Sequence, residues 1–186
     1  MTYEMMDKKL KETLSPKRYA HSKGVEETAE ILARIWGADV NKAKAAGLLH
    51  DLAKNIDTDL AKNLIGTLTT DKEILSCPGL WHGIIGASLL KTEYDIDDPE
   101  IFDAVYYHTT GKENMSLLCK IIYVADLIEP GRDSYLPWAK DCRKLAEENI
   151  DKAVLFVTDK TIESLISRGE HINPLAIKIH NFYLNK

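Results

Sequence analysis

Apolar residues recur at spacings of three and four along almost the whole chain, and this period constrains the fold more than any other feature. One example is the set Val25, Ala29, Leu32 and Trp36. Such spacing places apolar side chains along one face of an α-helix. The one stretch with strand-like composition, residues 122–124, lies inside a helical period. The sequence therefore predicts an all-α fold, a bundle of helices.

Capping residues and prolines divide this pattern into separate helices. Ser15-Pro16 and Asp98-Pro99 each place a capping side chain before a proline at the first helical position. Gly37 is a typical helix stop, and Asp151 is the predicted cap of a long helix. The predicted helices span residues 10–14, 17–36, 40–53, 58–65, 70–75, 80–91, 98–107, 114 or 116 to 128, 139–149, 151–168 and a terminal segment from Pro174.

Length and charge limit the number of domains and the class of partner. The 186 residues suit one domain over residues 1–186, with a motif core at about 18–132 and C-terminal helices over 139–186 packed on it. The chain has 29 acidic and 24 basic residues, a net charge of −5. Because nucleic-acid binding requires a basic surface, we expect no nucleic-acid partner. A small phosphorylated ligand needs only a local cluster of cations.

The cysteines and the absence of long apolar runs predict the compartment. Cys77, Cys119 and Cys142 are an odd number without paired spacing, which is typical of reduced thiols in the cytoplasm. No window approaches the roughly 20 apolar residues of a membrane span, and the first ten residues lack the apolar core of a signal peptide. We expect a cytoplasmic protein without a membrane partner; a homodimer is compatible with the sequence.

Six ionisable residues in apolar helical segments are the candidate functional residues. They are His21, His50, Asp51, His82, His108 and Asp126. A charged aspartate after a stretch as apolar as residues 121–125 is unfavourable unless it is paired or bound to a metal. Imidazole nitrogen and carboxylate oxygen suit Fe, Mn, Zn, Ni or Co, and facing helices bring distant ligands together. The set indicates a metal site.

Each of these residues also has a simpler interpretation. A single buried histidine is more often a hydrogen-bonded core residue, and Asp126 could pair with an arginine. The adjacent His50-Asp51 is a stronger signal because it joins two ligand types. Lys54 would share one side of a helix with them, where a phosphate could lie between the lysine and a metal. The alternative for Lys54 is a surface ion pair with Asp51.

Together with their neighbours, these residues resemble the HD superfamily of metal-dependent phosphohydrolases, in the order His, His-Asp, His, His, Asp. Longer strings narrow the resemblance to the YqeK type, the symmetrical diadenosine tetraphosphate hydrolases. The strings are His21-Ser22, HDLAK at residues 50–54, His82-Gly83, HTTG at 108–111 and ADLIEPGR at 125–132. HTTG and DLIEPGR are more specific than the His-Asp pair. The similarity spans about residues 18–174.

The resemblance implies a fold, a cofactor and a reaction. It implies an all-helical HD fold that holds iron, with Mn, Co, Ni or Zn as alternatives. The implied ligands are His21, His50, Asp51 and Asp126. His82 and His108 would hold a second ion or face the substrate phosphates. The implied reaction is hydrolysis of diadenosine tetraphosphate by metal-activated water, with two ADP as products.

Roles follow for individual residues. The expected catalytic residues are Asp51, Lys54, His82 and His108, where one of the two histidines protonates the departing ADP. The expected substrate-binding residues are Ser22, Lys54, His82, His108, Thr109, Thr110, Arg132, Arg168 and Gly169. Arg132 would neutralise phosphate charge; its alternative is a loop arginine paired to Glu129 or Asp133. Residues 109–111 could equally be a plain helix end.

Three other functions remain open at this level. One is another HD-type phosphohydrolase that acts on nucleotides or deoxynucleotides. The second is a non-catalytic, nucleotide-sensing module that retains the metal. The third is a structural helical adaptor in which the polar residues form ordinary hydrogen bonds. Product analysis and metal analysis separate the three from the leading hypothesis.

Overall fold

The structure, a computed structural model, describes residues 1–186, which form eleven α-helices and no β-strand. This confirms the all-α prediction. The helices are α1 (Tyr3–Thr13), α2 (Pro16–Trp36), α3 (Val40–Leu49), α4 (Thr58–Leu68), α5 (Lys72–Leu75), α6 (Trp81–Tyr94), α7 (Pro99–Tyr107), α8 (Leu117–Ile128), α9 (Ala139–Glu148), α10 (Ile150–Arg168) and α11 (Pro174–Leu184). Short 3₁₀ helices, Pro78–Leu80 and Pro130–Ser134, precede α6 and follow α8.

The helix α8 lies at the centre of the bundle. It packs against α2, α3, α7, α9 and α10, and its residues Ile121, Ile122 and Val124 are completely buried. One hydrophobic core of 42 buried residues draws members from all eleven helices, so the chain folds as a single domain around one core. None of the helices combines the length and the apolar character needed to cross a bilayer.

Several helices begin and end where their capping residues predict. The Ser15 side chain accepts a hydrogen bond from the Arg18 amide, and Pro16 follows it at the start of α2. Asp98 caps α7 in the same way ahead of Pro99. At the other end of α2, Gly37 adopts the left-handed conformation with φ 71°, which glycine reaches without strain.

Several predicted boundaries are wrong: α1 begins at Tyr3 rather than at residue 10, and α4 and α6 end at Leu68 and Tyr94 rather than at residues 65 and 91. Two further wrong boundaries have a side-chain cause. The helix α3 ends at Leu49 rather than at residue 53, and the chain continues in tight turns in which the Lys54 amide donates to the Asp51 carbonyl. The reason is local, since Nδ1 of His50 lies 2.7 Å from the Gly47 carbonyl oxygen and satisfies a helix-end acceptor. His50, Asp51 and Lys54 therefore do not share one helical face.

The second boundary with a side-chain cause is the start of α10. The cap is Asn149, whose side chain accepts a hydrogen bond from the Lys152 amide. The carboxylate of Asp151, the predicted cap, instead lies 2.6 Å from Lys120 Nζ. The ion pair across to α8 takes the side chain away from the backbone of its own helix.

Candidate metal centre

Segments of five helices meet at one place and bring the four histidines and two aspartates of the predicted site together. His21 lies in the second turn of α2, and His50 and Asp51 follow α3. His82 begins α6, His108 follows α7, and Asp126 lies in the last turn of α8. The first histidine and the last aspartate are 105 positions apart in sequence, yet His21 Nε2 lies 2.9 Å from Asp126 Oδ1.

The carboxylate of Asp51 stands in the middle of the cluster, with a different group of side chains at each oxygen. Oδ2 lies 3.6 Å from His50 Nε2 and 3.9 Å from His21 Nε2. Oδ1 lies 3.2 Å from His82 Nε2 and 3.6 Å from His108 Nε2. Asp51 thus divides the cluster into two halves that share its carboxylate.

The spacing of the donor atoms fits a metal ion. An ion with bonds of about 2.1 Å to nitrogen and oxygen holds neighbouring ligand atoms about 3.0–3.5 Å apart. His21 Nε2 lies 2.9 Å from Asp126 Oδ1 and 3.3 Å from His50 Nε2. Two sets of three residues have all their donor atoms within 4.8 Å of one another: His21, His50 and Asp126, and His50, Asp51 and His108.

Hydrogen bonds at the outer ring nitrogens orient three of the four histidines. His50 Nδ1 lies 2.7 Å from the Gly47 carbonyl oxygen, and His108 Nδ1 lies 2.7 Å from that of Val105. His21 Nδ1 lies 3.1 Å from Oε1 of Glu129. In each case Nδ1 donates its proton to an acceptor, which leaves the Nε2 lone pair for a metal.

The buried environment favours the protonation states that metal binding requires. Burial lowers the pKa of both His50 and His82 to about 4, so both imidazoles are neutral near pH 7. Burial opposes the ionisation of Asp51 and Asp126, but the charged and imidazole groups around them hold the pKa of each carboxyl well below its usual value. Neutral imidazoles facing ionised carboxylates are a ligand set for a divalent cation.

His82 faces the ammonium group of Lys54, whereas His21 faces the guanidinium group of Arg132, whose Nη2 lies 3.2 Å from His21 Nε2. Lys54 Nζ lies 3.2 Å from Nε2 and 3.3 Å from Nδ1 of His82, and burial lowers the pKa of this lysine. The position of His82 depends on Gly83, since a Cβ there would lie 3.0 Å from the Tyr106 carbonyl oxygen. Glycine lets α6 approach the end of α7, where Nε2 of His108 is 3.0 Å from that of His82.

Arg132 also reaches the cluster, where it is the arginine partner that the simpler interpretation of Asp126 predicted. Its Nη2 donates to Asp126 Oδ1 at 2.7 Å, and its Nε donates to the Asp126 carbonyl oxygen at 2.8 Å. Glu129, the alternative partner, is more distant, with Oε1 at 3.8 Å from Nε. Asp133 pairs instead with Arg143.

Two residues of the site were missed by sequence reasoning. Arg18 donates from Nη1 to Asp51 Oδ2 at 2.8 Å, and the buried Glu129 accepts from His21. Helical spacing is a signal that could have found both, since Arg18 precedes His21 by three positions and Glu129 follows Asp126 by three.

Lys54, His82, His108 and Arg132 thus lie at the cluster, and the other predicted substrate residues fall into two groups. Thr109 and Thr110 line a pocket of about 350 Å³ between α10, α11 and the Pro78–Leu80 turn; we call it the threonine pocket. The Thr109 hydroxyl is itself buried and has no hydrogen-bond partner, which is uncommon in folded proteins.

The second group, Ser22, Arg168 and Gly169, does not line this pocket. Ser22 is completely buried, and its hydroxyl has no partner. Arg168 is exposed and pairs with Glu170, and Gly169 ends α10 with φ 65°. Glu170, but neither Arg168 nor Gly169, lines the threonine pocket.

Comparison with known proteins identifies the family. The HD domain family model matches residues 18–131. The chain is 36% identical to the symmetrical bis(5'-nucleosyl)-tetraphosphatase of Bacillus subtilis (strain 168), over 95% of this chain and 94% of that one. It is 34% identical to the protein of the same name from Staphylococcus aureus (strain NCTC 8325 / PS 47), over 98% and 95%.

A solved structure is similar over the full length. It is the crystal structure of a predicted HD superfamily hydrolase involved in NAD metabolism from Clostridium acetobutylicum, with a TM-score of 0.93 and 37% identity over 100% of this chain and 98% of that one. The HD domain implies a divalent metal, and the histidine–aspartate cluster contains two groups of side chains whose donor atoms are close enough to hold an ion. The chain therefore belongs to the HD-domain family and, within it, to the group of the symmetrical bis(5'-nucleosyl)-tetraphosphatases.

Proposed function

We propose that this chain hydrolyses diadenosine tetraphosphate symmetrically, into two molecules of ADP. The observation that carries the proposal is the convergence of all six histidines and aspartates around Asp51, in a chain whose relatives of nearly equal length are named for this activity. An anionic tetraphosphate fits a centre that is bordered by Lys54, Arg18 and Arg132.

The proposed metal is iron, held by His21, His50, Asp51 and Asp126. Mn, Co, Ni or Zn would suit the same nitrogen and oxygen donors. The second oxygen of Asp51, facing His82 and His108, supports either a second ion or a direct approach of these histidines to phosphate. When bound, a divalent ion supplies a water of lowered pKa and polarises the phosphoryl oxygens.

The protein side chains then position the bridge and handle protons. Phosphoryl transfer depends on positioning and on charge neutralisation, which we assign to Lys54 and Arg132. His82 is the proposed proton donor to the departing ADP; burial keeps its ring neutral in the free protein, and the negative charge of a bound tetraphosphate would raise its pKa towards the range in which it can donate. Of the four histidines, it alone makes no Nδ1 hydrogen bond to a carbonyl or carboxylate oxygen, so no such acceptor holds its Nδ1 away from the substrate. His108 lies beside it as the alternative donor.

The threonine pocket is the proposed site for one adenosine. Its volume, about 350 Å³, lies in the range of small-molecule sites. Its wall includes Thr109 and Thr110, which directly follow His108 in the chain. Pro78 and Gly79 line both this pocket and the cleft beside Lys54 and His82, which supports a continuous path from the metal centre. Ser22, Arg168 and Gly169 remain predicted contacts.

The test is a product assay on protein purified without chelator, with elemental analysis of the same sample. We expect two ADP for each diadenosine tetraphosphate and a stoichiometric transition metal. AMP plus ATP, or no turnover by metal-loaded protein, would contradict the proposal. Asp51→Ala should abolish turnover while the helical circular dichroism persists. Asp97→Ala, at an exposed carboxylate paired with Lys91, is the matched control and should remain active.

A cytoplasmic location is part of the proposal. All three cysteines are free, and Cys119 and Cys142 are buried, as is usual in a reducing compartment. A homodimer is a further prediction, for which sedimentation equilibrium of the metal-loaded protein is the measurement.

A further inference from the structure

A second cleft opens at the metal centre on the side of Arg18 and Arg132. It has a volume of about 420 Å³ and shares no lining residue with the threonine pocket. We call it the Tyr135 cleft; it is lined by Ser15, Lys17, Arg18, His21, Asn55, Arg132 and Tyr135. The proposed substrate has two nucleosides, and the threonine pocket accounts for only one of them.

The charge of the Tyr135 cleft suits phosphate. Three of its seven lining residues are cations and none is a carboxylate, although acidic residues outnumber basic ones in the chain as a whole. The guanidinium groups of Arg18 and Arg132 lie at the inner end of the cleft, where they bind the proposed ligands Asp51 and Asp126. Lys17 is exposed, and continues the positive surface towards solvent. A polyphosphate leaving the metal centre in this direction would remain next to cations.

The aromatic ring of Tyr135 lies at the exposed end of this cleft. Tyr135 is 55% exposed, and it does not pack against the hydrophobic core. Its hydroxyl accepts a hydrogen bond of 2.6 Å from Arg132 Nη1, and the guanidinium carbon lies 5.7 Å from the ring centroid. An exposed aromatic ring that an arginine holds beside a cationic cleft offers a stacking surface for a nucleobase.

We propose that the Tyr135 cleft binds the second nucleotide half of the substrate, with its phosphates on Arg18 and Lys17 and its base on the Tyr135 ring. This inference rests on the proposed function and deepens it. With one half beyond Lys54 and the other beyond Arg18, the midpoint of the tetraphosphate lies over Asp51, whose two oxygens face these two sides. Cleavage at the midpoint then follows from the placement of the cations.

The test compares Tyr135→Ala, Tyr135→Phe and the wild type on two substrates, diadenosine tetraphosphate and adenosine 5'-tetraphosphate. For the dinucleotide, loss of the stacking ring in Tyr135→Ala should raise KM ~10-fold with little change in kcat, and Tyr135→Phe should remain near the wild type. For adenosine tetraphosphate, whose single base occupies the threonine pocket, all three proteins should have the same KM. Phe102→Ala, at a 41% exposed ring on α7, is the matched control.

Three results would overturn the proposal: an unchanged KM in Tyr135→Ala, an equal loss in Tyr135→Phe, or an equal rise in KM for both substrates. Lys17→Glu gives an independent check, because a reversed charge on the phosphate path should also raise KM for the dinucleotide. Failure of the proposed function is a different result, namely no ADP released by the wild type. In that case, equilibrium dialysis with ADP would still test whether the Tyr135 cleft binds a nucleotide. We expect two ADP bound per wild-type chain and one per Tyr135→Ala chain.

Discussion

At the residue scale, Glu129 is the most important of the residues that do not themselves bind the proposed metal. One oxygen lies 3.1 Å from His21 Nδ1, and the other accepts the Gly131 amide at 2.6 Å. The carboxylate thereby connects the orientation of His21, a proposed metal ligand, to the turn that contains Arg132. It is almost completely buried, so water cannot replace it.

Glu129→Gln should weaken metal binding by about 10–100-fold. The neutral amide gives a weaker acceptor to His21 and can present its NH₂ group to the ring, so the imidazole loses its fixed orientation. Competition with a chelator measures the affinity, and circular dichroism verifies the fold. Glu27→Gln, on the exposed surface of α2, should bind metal as the wild type does. An equal affinity in both variants would contradict the role of Glu129.

Arg132→Ala should raise KM for the dinucleotide by about 10–100-fold, the size expected for charged hydrogen bonds to phosphate, while metal content stays unchanged. The reason is that Arg132 contacts Asp126 but supplies no ligand atom. Steady-state kinetics and elemental analysis measure the two quantities. Arg34→Ala, at a 64% exposed arginine paired with Glu30, is the control. Loss of metal from Arg132→Ala would show that the arginine stabilises the metal site instead.

At the scale of elements, the site depends on how closely helices approach one another. The helices α2 and α3 carry His21 and His50, and they pack together along their length. Gly47 permits this contact, since a Cβ there would lie 2.9 Å from the Glu26 Cα and 3.1 Å from its amide nitrogen. These are backbone atoms, which cannot move without moving the helix.

Gly47→Ala should therefore destabilise the protein by about 1–3 kcal/mol and weaken metal binding, because α3 must move away from α2. Thermal unfolding and metal titration measure both effects. The matched control is Gly66→Ala in the exposed interior of α4, where nothing lies within 4 Å of the added Cβ. That variant should gain about 0.5–1 kcal/mol from helix propensity. Similar stability of the two variants would disprove the close-packing argument.

At the scale of the whole molecule, the metal should stabilise the fold because its four proposed ligands come from three helical segments, α2, the end of α3 and α8, that are separate in the unfolded chain. At a free metal concentration of 100 times Kd, mass action adds ~2.7 kcal/mol, or about 5–10 °C in Tm for a domain of this size. Thermal scans of metal-free protein with and without Mn²⁺ measure the shift. Asp126→Asn should lose most of it, and Asp97→Asn should keep it. An equal shift in both variants would place the ion elsewhere.

The helices and the family could be predicted from sequence because their determinants are local. Helical period, N-caps such as Ser15 and Asp98, and short strings such as HTTG each lie within a few residues of one another. The true end of α3 could not be predicted, since the apolar pattern continues past Leu49 while the turn depends on the hydrogen bond from His50 to Gly47. Arg18 and Glu129 escaped notice because their partners lie 33 and 108 positions away.

The sequence by itself determined an acidic, all-helical chain of the HD family with six ligand-type side chains in a recognisable order. The tertiary structure decided how those side chains divide around the two oxygens of Asp51 and which histidine Nδ1 atoms are held by hydrogen bonds. It also decided that a cationic cleft opens beside Arg132. Periodicity and motifs depend on neighbours along the chain, whereas the distances in the site depend on how helices pack. Packing is set by close contacts such as those at Gly47 and Gly83, which join residues distant in sequence.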